Sequence, residues 1–268
     1  MTAIPREWIA ADWPAPPGVR AVTTTRHGGE SRPPFASLNL GNGSGDAPTV
    51  VARNRARIRA SLGLEHEPCW LDQAHGSVVV RAARYDRAPQ ADASVGEAGS
   101  PPCAVLTADC LPVVLCDTAG TRVAIAHAGW RGLARGIIAS CVESMDRPGR
   151  DLQAWLGPAI GPESYEIGPE VRDACLAAAP AAGFAFVPSS NRTDRWLANL
   201  YAIARWQLES LGVRRIHGGG FCTYGEKARF FSHRRDGVTG RFATLAWIDD
   251  SGRDPQAARE SFGFSGTA

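Results

Sequence analysis

Lysine and long apolar runs are what this sequence has least of. Lys227 is the single lysine, so arginine supplies nearly all of the 29 basic side chains. No apolar run approaches the roughly 18 residues of a membrane span. The N-terminus also lacks the basic and apolar regions of a signal peptide. We therefore expect a cytoplasmic protein with no membrane partner.

Charge of one sign is not in excess either. The formal net charge is +2, and 21% of the residues are charged while 44% are hydrophobic. These proportions are typical of a globular protein, and a nearly neutral chain does not predict binding to nucleic acid. We expect no nucleic-acid partner and infer no obligate protein partner.

The cysteines do not follow a disulfide pattern. There are seven of them, an odd number, and no two are spaced as CxxC. A disulfide framework normally pairs an even number of cysteines. We expect reduced thiols, in agreement with a cytoplasmic location.

Apolar periodicity predicts a single mixed α/β (α+β) domain over residues 1–268, because no repeat or linker divides the chain. The predicted strands lie in 19–26, 69–83, 103–117, 122–130, 152–168 and 215–224. The predicted helices cover 48–62, 132–145, 169–179 and 195–213. We expect a long loop over 27–48, which is functional or disordered, and a polar surface segment over 85–102.

Three potential metal ligands stand where apolar strands end or bend. His75 and His127 lie close to glycines, and Cys110 ends the stretch "TADC". Two imidazoles and one thiolate suit zinc, and three protein ligands leave a fourth position open. The intervals of 35 and 17 residues assign each ligand to a different strand. This is the arrangement of a site assembled on a sheet.

The same residues allow other interpretations. Cys110 and His127 could act as a nucleophile and its base. Two histidines and one cysteine also make a trigonal copper site. A buried cysteine beside hydrogen-bonded structural histidines is the simplest alternative, and spacing alone does not decide among these.

Several arginines are candidates for phosphate binding. Arg26 ends a strand, Arg131 follows "HAGW", and Arg235 lies in "SHRRDGVTGR" between Arg234 and Arg241. A guanidinium donates two hydrogen bonds at once to an oxyanion. The stretches "HGGE" and "HGGG" do not fit the nucleotide-loop patterns. For any single arginine, simple surface exposure is the alternative.

Seven motifs occur in an order that resembles one known family. They are "TTRHGG", "SLNLG", "DQAHG", "TADCLPV", "AHAGWRG", "GPAIGPESYEIG" and "CTYGEKARFFSHRRDGVTGR". Together they resemble the YfiH/laccase-domain family, also called the multicopper polyphenol oxidase or purine nucleoside phosphorylase-like family. The resemblance covers roughly residues 17 to 250.

The resemblance implies mixed β-sheets layered between helices and a zinc site on His75, Cys110 and His127, with copper as the alternative metal. It implies phosphorolysis of adenosine, inosine and 5'-methylthioadenosine, and deamination of adenosine. A laccase-like polyphenol oxidase is the alternative activity, although six histidines are too few for a complete multicopper site. One departure is Gly43 in "LGNGSGD", where the family usually has histidine; another is Gly225 after "CTY".

Phosphorolysis needs a phosphate held below the anomeric carbon of the sugar, stabilisation of an oxocarbenium-like centre and a proton for the leaving purine. We expect arginines to hold the phosphate and aromatic rings such as Trp130 to stack on the base. The predicted substrate-binding residues are Arg26, Asn39, Arg131, Tyr165 and Arg235. The predicted catalytic residues are His75, Cys110, His127 and Asp109. Deamination also needs a proton shuttle, and the H-x-E sequence that supplies it in zinc deaminases is not present. Asp109 is the candidate for that role, although no motif assigns it.

Overall fold

The computed structural model describes residues 4–190 and 192–249. Residues 1–3, 191 and 250–268 of the predicted domain lie outside the described residues. The strands are β1 Ile9–Ala10, β2 Val19–Thr23, β3 Val79–Arg81, β4 Ala93–Glu97, β5 Cys103–Thr107, β6 Leu111–Asp117, β7 Arg122–Ala128, β8 Leu152–Leu156, β9 Glu166–Ile167, β10 Phe186–Pro188, β11 Trp196–Ala198, β12 Arg215–Gly218 and β13 Phe242–Ile248. The α-helices are α1 Pro48–Leu62, α2 Trp130–Ala134, α3 Ile137–Ser144, α4 Pro169–Ala178, α5 Leu200–Ser210 and α6 His233–Asp236.

Two sheets stack face to face and are covered by helices on their outer sides. One has the strand order β1-β2-β13-β5, and the other has the order β12-β8-β6-β7-β4-β3. Side chains from β5, β13, β6 and β7 form a common core between them. Helix α1 packs on the outer face of the first sheet, and helices α3 and α5 pack on the outer face of the second. The predicted layering of mixed sheets between helices is confirmed.

The predicted strand over 103–117 is two strands in different sheets. Strand β5 pairs with β13 in the four-stranded sheet, whereas β6 pairs with β7 and β8 in the six-stranded sheet. The chain crosses between the sheets at "TADC", where Asp109 has a φ of 104°. Cys110 therefore lies where the two sheets meet, at the start of β6.

The prediction of a polar surface segment over 85–102 holds for 85–90 but is wrong for 91–96. It contains β4, whose residues from Ala93 to Val95 are buried or half-buried. Strand β4 lies between β3 and β7, so these partners bury it although its small and polar residues show no strand pattern. Because β4 was not predicted, the burial of Asp92, which immediately precedes this strand, was not predicted either.

Two predicted helices have different limits. The helix predicted over 132–145 is divided into α2 and α3, since Gly136 adopts a left-handed φ of 82° between them. The helix predicted over 195–213 begins only at Leu200, because the side chain of Asn199 caps it by accepting a hydrogen bond from the backbone of Ala202 at 3.0 Å. The preceding residues form β11 instead. Within 4–190 and 192–249, no helix is both long enough and apolar enough to span a bilayer.

Candidate functional site

The structure brings the three predicted ligands together. The nearest donor atoms of His75, Cys110 and His127 all lie within 4.8 Å of one another, and Cys110 Sγ is 3.9 Å from His75 Nε2. His127 comes from the end of β7 and Cys110 from the start of β6, which are neighbours in an antiparallel pair. His75 comes from the bend before β3, where it adopts a φ of 57°.

Asp92 organises this cluster, and sequence reasoning did not find it. Its side chain is 1% exposed, and Oδ1 accepts a hydrogen bond from His127 Nδ1 at 2.8 Å. The same carboxylate accepts backbone hydrogen bonds from Ala74, His75 and Gly76 at 3.2, 2.9 and 2.6 Å. One buried carboxylate therefore orients one imidazole and fixes the backbone that carries the other.

The cluster has an electrostatic reason to hold a thiolate. Burial opposes ionisation of Cys110, but the charge and hydrogen bonds of His127 and His75 outweigh it and lower the pKa of the thiol. Burial likewise opposes protonation of His127, but Cys110 and Asp92 raise the pKa of its imidazole. A thiolate is the form of cysteine that attacks electrophiles and binds metals.

The donor set and its surroundings fit a metal ion. Asp92 occupies Nδ1 of His127, which leaves Nε2 as the free ring nitrogen, as is usual for metal-binding histidines. A Cβ atom at Gly129 would lie only 2.7 Å from Cys110 Sγ and 3.4 Å from His75 Cδ2. Glycine at this position therefore keeps the space beside the thiol open. The His–Cys–His cluster can bind a metal, and its chemistry suits zinc or copper.

The cluster borders a cavity of about 640 Å³, within the usual size range of small-molecule sites. Its wall includes Trp70, the 41–44 segment and the predicted phosphate ligand Arg131. Arg55 and Arg241 also line it, and neither is among the predicted substrate-binding residues. The cavity can accept a ligand that contacts the metal cluster and arginine side chains together.

Two other predicted phosphate ligands are absent from the described lining of this cavity. Arg26 donates from Nε and Nη2 to the carbonyl oxygen of Ala36 at 3.0 and 2.9 Å, and from Nη1 to that of Lys227 at 3.1 Å. Arg235 donates to three backbone carbonyls and pairs with Asp236 at 2.7 Å. These contacts indicate that both guanidinium groups stabilise loops.

Asn39 is fully buried and acts within the protein. Its Oδ1 accepts hydrogen bonds from the backbone nitrogens of Gly41 at 3.1 Å and Arg241 at 2.8 Å. Its Nδ2 donates to Ser44 and Asp46 at 2.8 and 3.0 Å. Asn39 therefore positions the segment that lines the cavity, although its own amide is already satisfied by protein groups.

Asp109 and Tyr165 lie beside the cavity rather than in its described lining. Asp109 Oδ1 accepts from Thr223 Oγ1, and its Oδ2 accepts from the backbone nitrogen of Arg234, both at 2.7 Å. The Cζ atom of Arg234 lies over the Tyr165 ring, 4.9 Å from the ring centroid. Both residues line a second depression, which Trp130 also lines. The predicted roles in proton transfer and base stacking are therefore not visible as contacts with the cavity.

Fold and site together define a class: a mixed α/β protein with a His–Cys–His cluster beside a cavity lined by arginines. Comparison with known sequences identifies a family within this class. Residues 20–249 match the family described as multi-copper polyphenol oxidoreductase laccase. The purine nucleoside phosphorylase PA4543 of Pseudomonas aeruginosa is 52% identical over 243 residues, which cover 91% of this chain and 99% of the relative.

Further relatives agree in sequence and in fold. The purine nucleoside phosphorylase YfiH of Escherichia coli is 46% identical over 241 residues, covering 90% of this chain and 98% of the relative. The crystal structure of protein NMB0706 of Neisseria meningitidis, 47% identical, superposes with a TM-score of 0.87 over 91% of this chain and 100% of that one. The chain belongs to the YfiH/laccase-domain family, as its motifs predicted.

Proposed function

We propose that this chain is a metal-dependent purine nucleoside phosphorylase that acts on adenosine, inosine and 5'-methylthioadenosine. The observation that carries the proposal is the convergence of His75, Cys110 and His127 on one cavity whose wall also presents Arg131. The purine nucleoside phosphorylase names of the relatives support the same reaction class. The partners are small molecules, nucleoside and inorganic phosphate, and we propose the cytoplasm as the location.

The proposed reaction exchanges one bond at the anomeric carbon of the ribose. The C1'–N9 bond breaks, its electron pair leaves with the purine, and a phosphate oxygen forms a new bond to C1'. The products are free purine and ribose 1-phosphate, or 5-methylthioribose 1-phosphate when 5'-methylthioadenosine is the substrate. The proton that the purine gains is the one that hydrogen phosphate loses. Catalysis of such a step depends on placing positive charge where negative charge enters or develops.

The residues present allow a division of tasks. His75, Cys110 and His127 would hold the metal, preferably zinc, which supplies Lewis acidity when bound. Asp92 keeps the His127 ring oriented by accepting from Nδ1. Arg131 lines the cavity as a cation and would hold phosphate oxygens.

The experiment measures metal content and nucleoside turnover on the same purified sample. We expect about one zinc per chain and release of free base from adenosine or inosine only when phosphate is present. The Cys110→Ala variant should lose metal and turnover together. Full turnover by a metal-free Cys110→Ala protein would refute the proposal.

Adenosine deamination is a second proposed activity of the same site. It replaces the C6–N bond with a C6–O bond, consumes water and releases ammonia, and Lewis acidity assists this exchange. Ammonia release without phosphate would distinguish deamination from phosphorolysis. If the metal-loaded protein releases no ammonia from adenosine, the proposal of deaminase activity is wrong.

Two alternatives have specific support. The family description favours a copper-dependent polyphenol oxidase, which would consume oxygen and release no base. The lowered pKa of Cys110 beside His127 favours a metal-free cysteine hydrolase, which would keep its activity after chelation and lose it after alkylation. The paired measurement of metal and turnover separates both from the phosphorylase.

A further inference from the structure

Three arginines on the cavity wall have no carboxylate in direct contact within the described part of the chain. Arg55, Arg131 and Arg241 line the cavity together with one carboxylate, that of Asp72. Among the residues of the described ranges, none of the three arginines forms a salt bridge with an acidic side chain. The wall beside the metal cluster therefore carries an excess of positive charge, which favours an anionic ligand.

Arg55 is held in place but keeps free donors. It extends from α1, its Nε donates to the carbonyl oxygen of Leu40 at 2.9 Å, and its Cζ lies 4.2 Å from the Trp70 ring centroid. Burial lowers its pKa to about 10, and the charge of Glu67 offsets this only in part. No described residue accepts a hydrogen bond from its two Nη groups. A desolvated guanidinium with a fixed plane is suited to bidentate binding of an oxyanion.

Arg241 is fixed by backbone carbonyls of its own segment. Its Nη1 donates to the carbonyl oxygens of Thr239 and Gly240 at 2.8 and 3.0 Å, which leaves Nε and Nη2 without an acceptor among the described residues. A Cβ at Gly41 would lie 2.8 Å from Arg241 Cγ, so the glycine makes room for this side chain. Burial lowers the pKa of Arg241, while the charges of Cys110 and Asp109 oppose that change. Arg241 is therefore a preorganised cation in the field of the metal cluster.

Arg131 completes the set from α2. Its Cζ stacks 4.4 Å from the Trp130 ring centroid, and its guanidinium donates to no group within the described part of the chain. Arg26 and Arg235 differ, because backbone carbonyls occupy their donors. Guanidinium nitrogens without an acceptor in the described part of the chain therefore set Arg55, Arg131 and Arg241 apart from Arg26 and Arg235.

We propose that Arg55, Arg131 and Arg241 form an oxyanion subsite that takes inorganic phosphate beside the His–Cys–His cluster. This rests on the proposed function and deepens it by naming the residues that bind the second substrate. A phosphate ester, such as the 5'-phosphate of a nucleotide, offers the same tetrahedral oxyanion. We commit to inorganic phosphate, because the proposed reaction requires it next to the nucleoside.

The test is calorimetric titration of inorganic phosphate into the metal-loaded protein without nucleoside. We expect Arg55→Gln, Arg131→Gln and Arg241→Gln each to weaken phosphate binding by about tenfold or more, the effect of losing a charge-assisted hydrogen bond. The matched control is Arg57→Gln, because Arg57 lies on the same helix but is exposed and pairs with Glu30 at 3.1 Å. It should bind phosphate as the unmodified protein does.

Folding is controlled separately. Arg55 and Arg241 hold backbone carbonyls, so circular dichroism and melting temperature must accompany their variants. Arg131→Gln removes no hydrogen bond within the described part of the chain, so this variant is expected to fold. A loss of phosphate affinity in it can therefore be assigned to the loss of the guanidinium group. Unchanged phosphate affinity in folded Arg131→Gln and Arg55→Gln proteins would overturn the subsite.

A second titration uses adenosine 5'-monophosphate. If the variants lose affinity for the nucleotide but keep their affinity for inorganic phosphate, the arginines bind a phosphate ester and the proposal is wrong. If phosphate binds through the arginines but nucleosides are not cleaved, the subsite stands and the proposed function fails. The two failures are thus distinguishable.

Discussion

Oδ1 of Asp92 accepts hydrogen bonds from His127 Nδ1 at 2.8 Å and from the backbone nitrogen of His75 at 2.9 Å. A single oxygen atom thus links two residues that are 52 positions apart in the sequence. The bond to Nδ1 selects the tautomer whose Nε2 is free for a metal. The backbone bond stabilises the left-handed conformation of His75, with a φ of 57°, which a histidine adopts only at a cost.

The first prediction concerns this carboxylate. Asp92→Asn should weaken zinc binding by about 10- to 100-fold, the usual effect of altering a partner of a metal-binding histidine. The asparagine amide has one acceptor oxygen, and its NH2 group only donates, so it cannot accept from the imidazole and from all three backbone groups. Competition with a chromophoric chelator measures the affinity.

The control for this variant is Asp86→Asn, which removes an exposed carboxylate on the same segment. It should leave zinc affinity unchanged. Comparing melting temperatures of the metal-free proteins separates a general loss of stability from a specific loss of affinity. Equal zinc affinity in Asp92→Asn and the unmodified protein would show that Asp92 does not position the ligands.

The second prediction is a pH dependence in the chelated protein. Because the pKa of Cys110 is lowered, the thiolate forms as the pH rises through values below the ordinary thiol range of about 8.5. Alkylation by iodoacetamide should therefore reach half its maximal rate below about pH 8. Added zinc should protect the thiol at every pH tested.

The alkylation of Cys110 is measured in a Cys222→Ser variant of the protein. Cys222 is the other partly exposed thiol, while the remaining five are buried. Backbone and Ser164 hydrogen bonds lower its pKa despite the opposing effect of burial, so it would react as well. If the alkylation rate of Cys110 depends on pH as that of an unperturbed thiol does, the proposed pairing of Cys110 with His127 is wrong.

The members of the His–Cys–His cluster could be selected as candidates from the sequence because their signals are local. His75, Cys110 and His127 stand where apolar stretches end or bend, and the motifs around them resemble those of a family with this ligand set. Asp92 gave no such signal, since its segment contains small and polar residues and is buried only by the strands on both sides. A single sequence cannot reveal burial that neighbours impose.

The arginines illustrate a different limit. Arg26 and Arg55 are the same residue type, and no motif distinguishes their roles. All three guanidinium nitrogens of Arg26 donate to carbonyls, whereas Arg55 donates only from Nε and faces the cavity. Their roles depend on side-chain direction, which tertiary packing decides. The motif "TTRHGG" drew attention to Arg26, whereas Arg55 lies in a helix whose other arginines are exposed.

The third prediction separates two roles of Asp109. Its oxygens accept from Thr223 Oγ1 and from the backbone nitrogen of Arg234. Asp109→Ala should lower the free energy of unfolding by about 1–3 kcal/mol, because a backbone N–H loses its acceptor. Asp109→Asn can still accept from Arg234 while Thr223 reverses its hydroxyl, so this variant should retain both kcat and the pH profile.

A proton shuttle would behave otherwise. If Asp109 transferred the proton, Asp109→Asn would lose most of its turnover and the corresponding limb of the pH profile. Urea unfolding and the pH dependence of kcat on both variants decide between the roles.

The fourth prediction uses two glycines of one segment. A Cβ at Gly41 would lie 2.8 Å from Arg241 Cγ, whereas a Cβ at Gly43 meets nothing within 4 Å. Gly41→Ala should displace Arg241 and raise the KM for phosphate by about tenfold, the loss of one good guanidinium contact. Gly43→Ala is the matched control and should leave the KM for phosphate unchanged. If the two variants have the same KM for phosphate, Arg241 does not contact phosphate.

The last prediction places a histidine where the family usually has one. Gly43 lies on the cavity wall, its φ is not in the left-handed region, and the space around a Cβ is open. Gly43→His should therefore change stability by no more than about 0.5 kcal/mol. The imidazole would narrow the cavity at the 41–44 segment, so kcat/KM for 5'-methylthioadenosine should fall relative to adenosine by up to about tenfold, or about 1.4 kcal/mol. Initial rates with both nucleosides at fixed phosphate measure this ratio. An unchanged ratio would mean that the nucleoside's 5' end does not approach Gly43, while an unchanged zinc content would show that the metal cluster is intact in the variant.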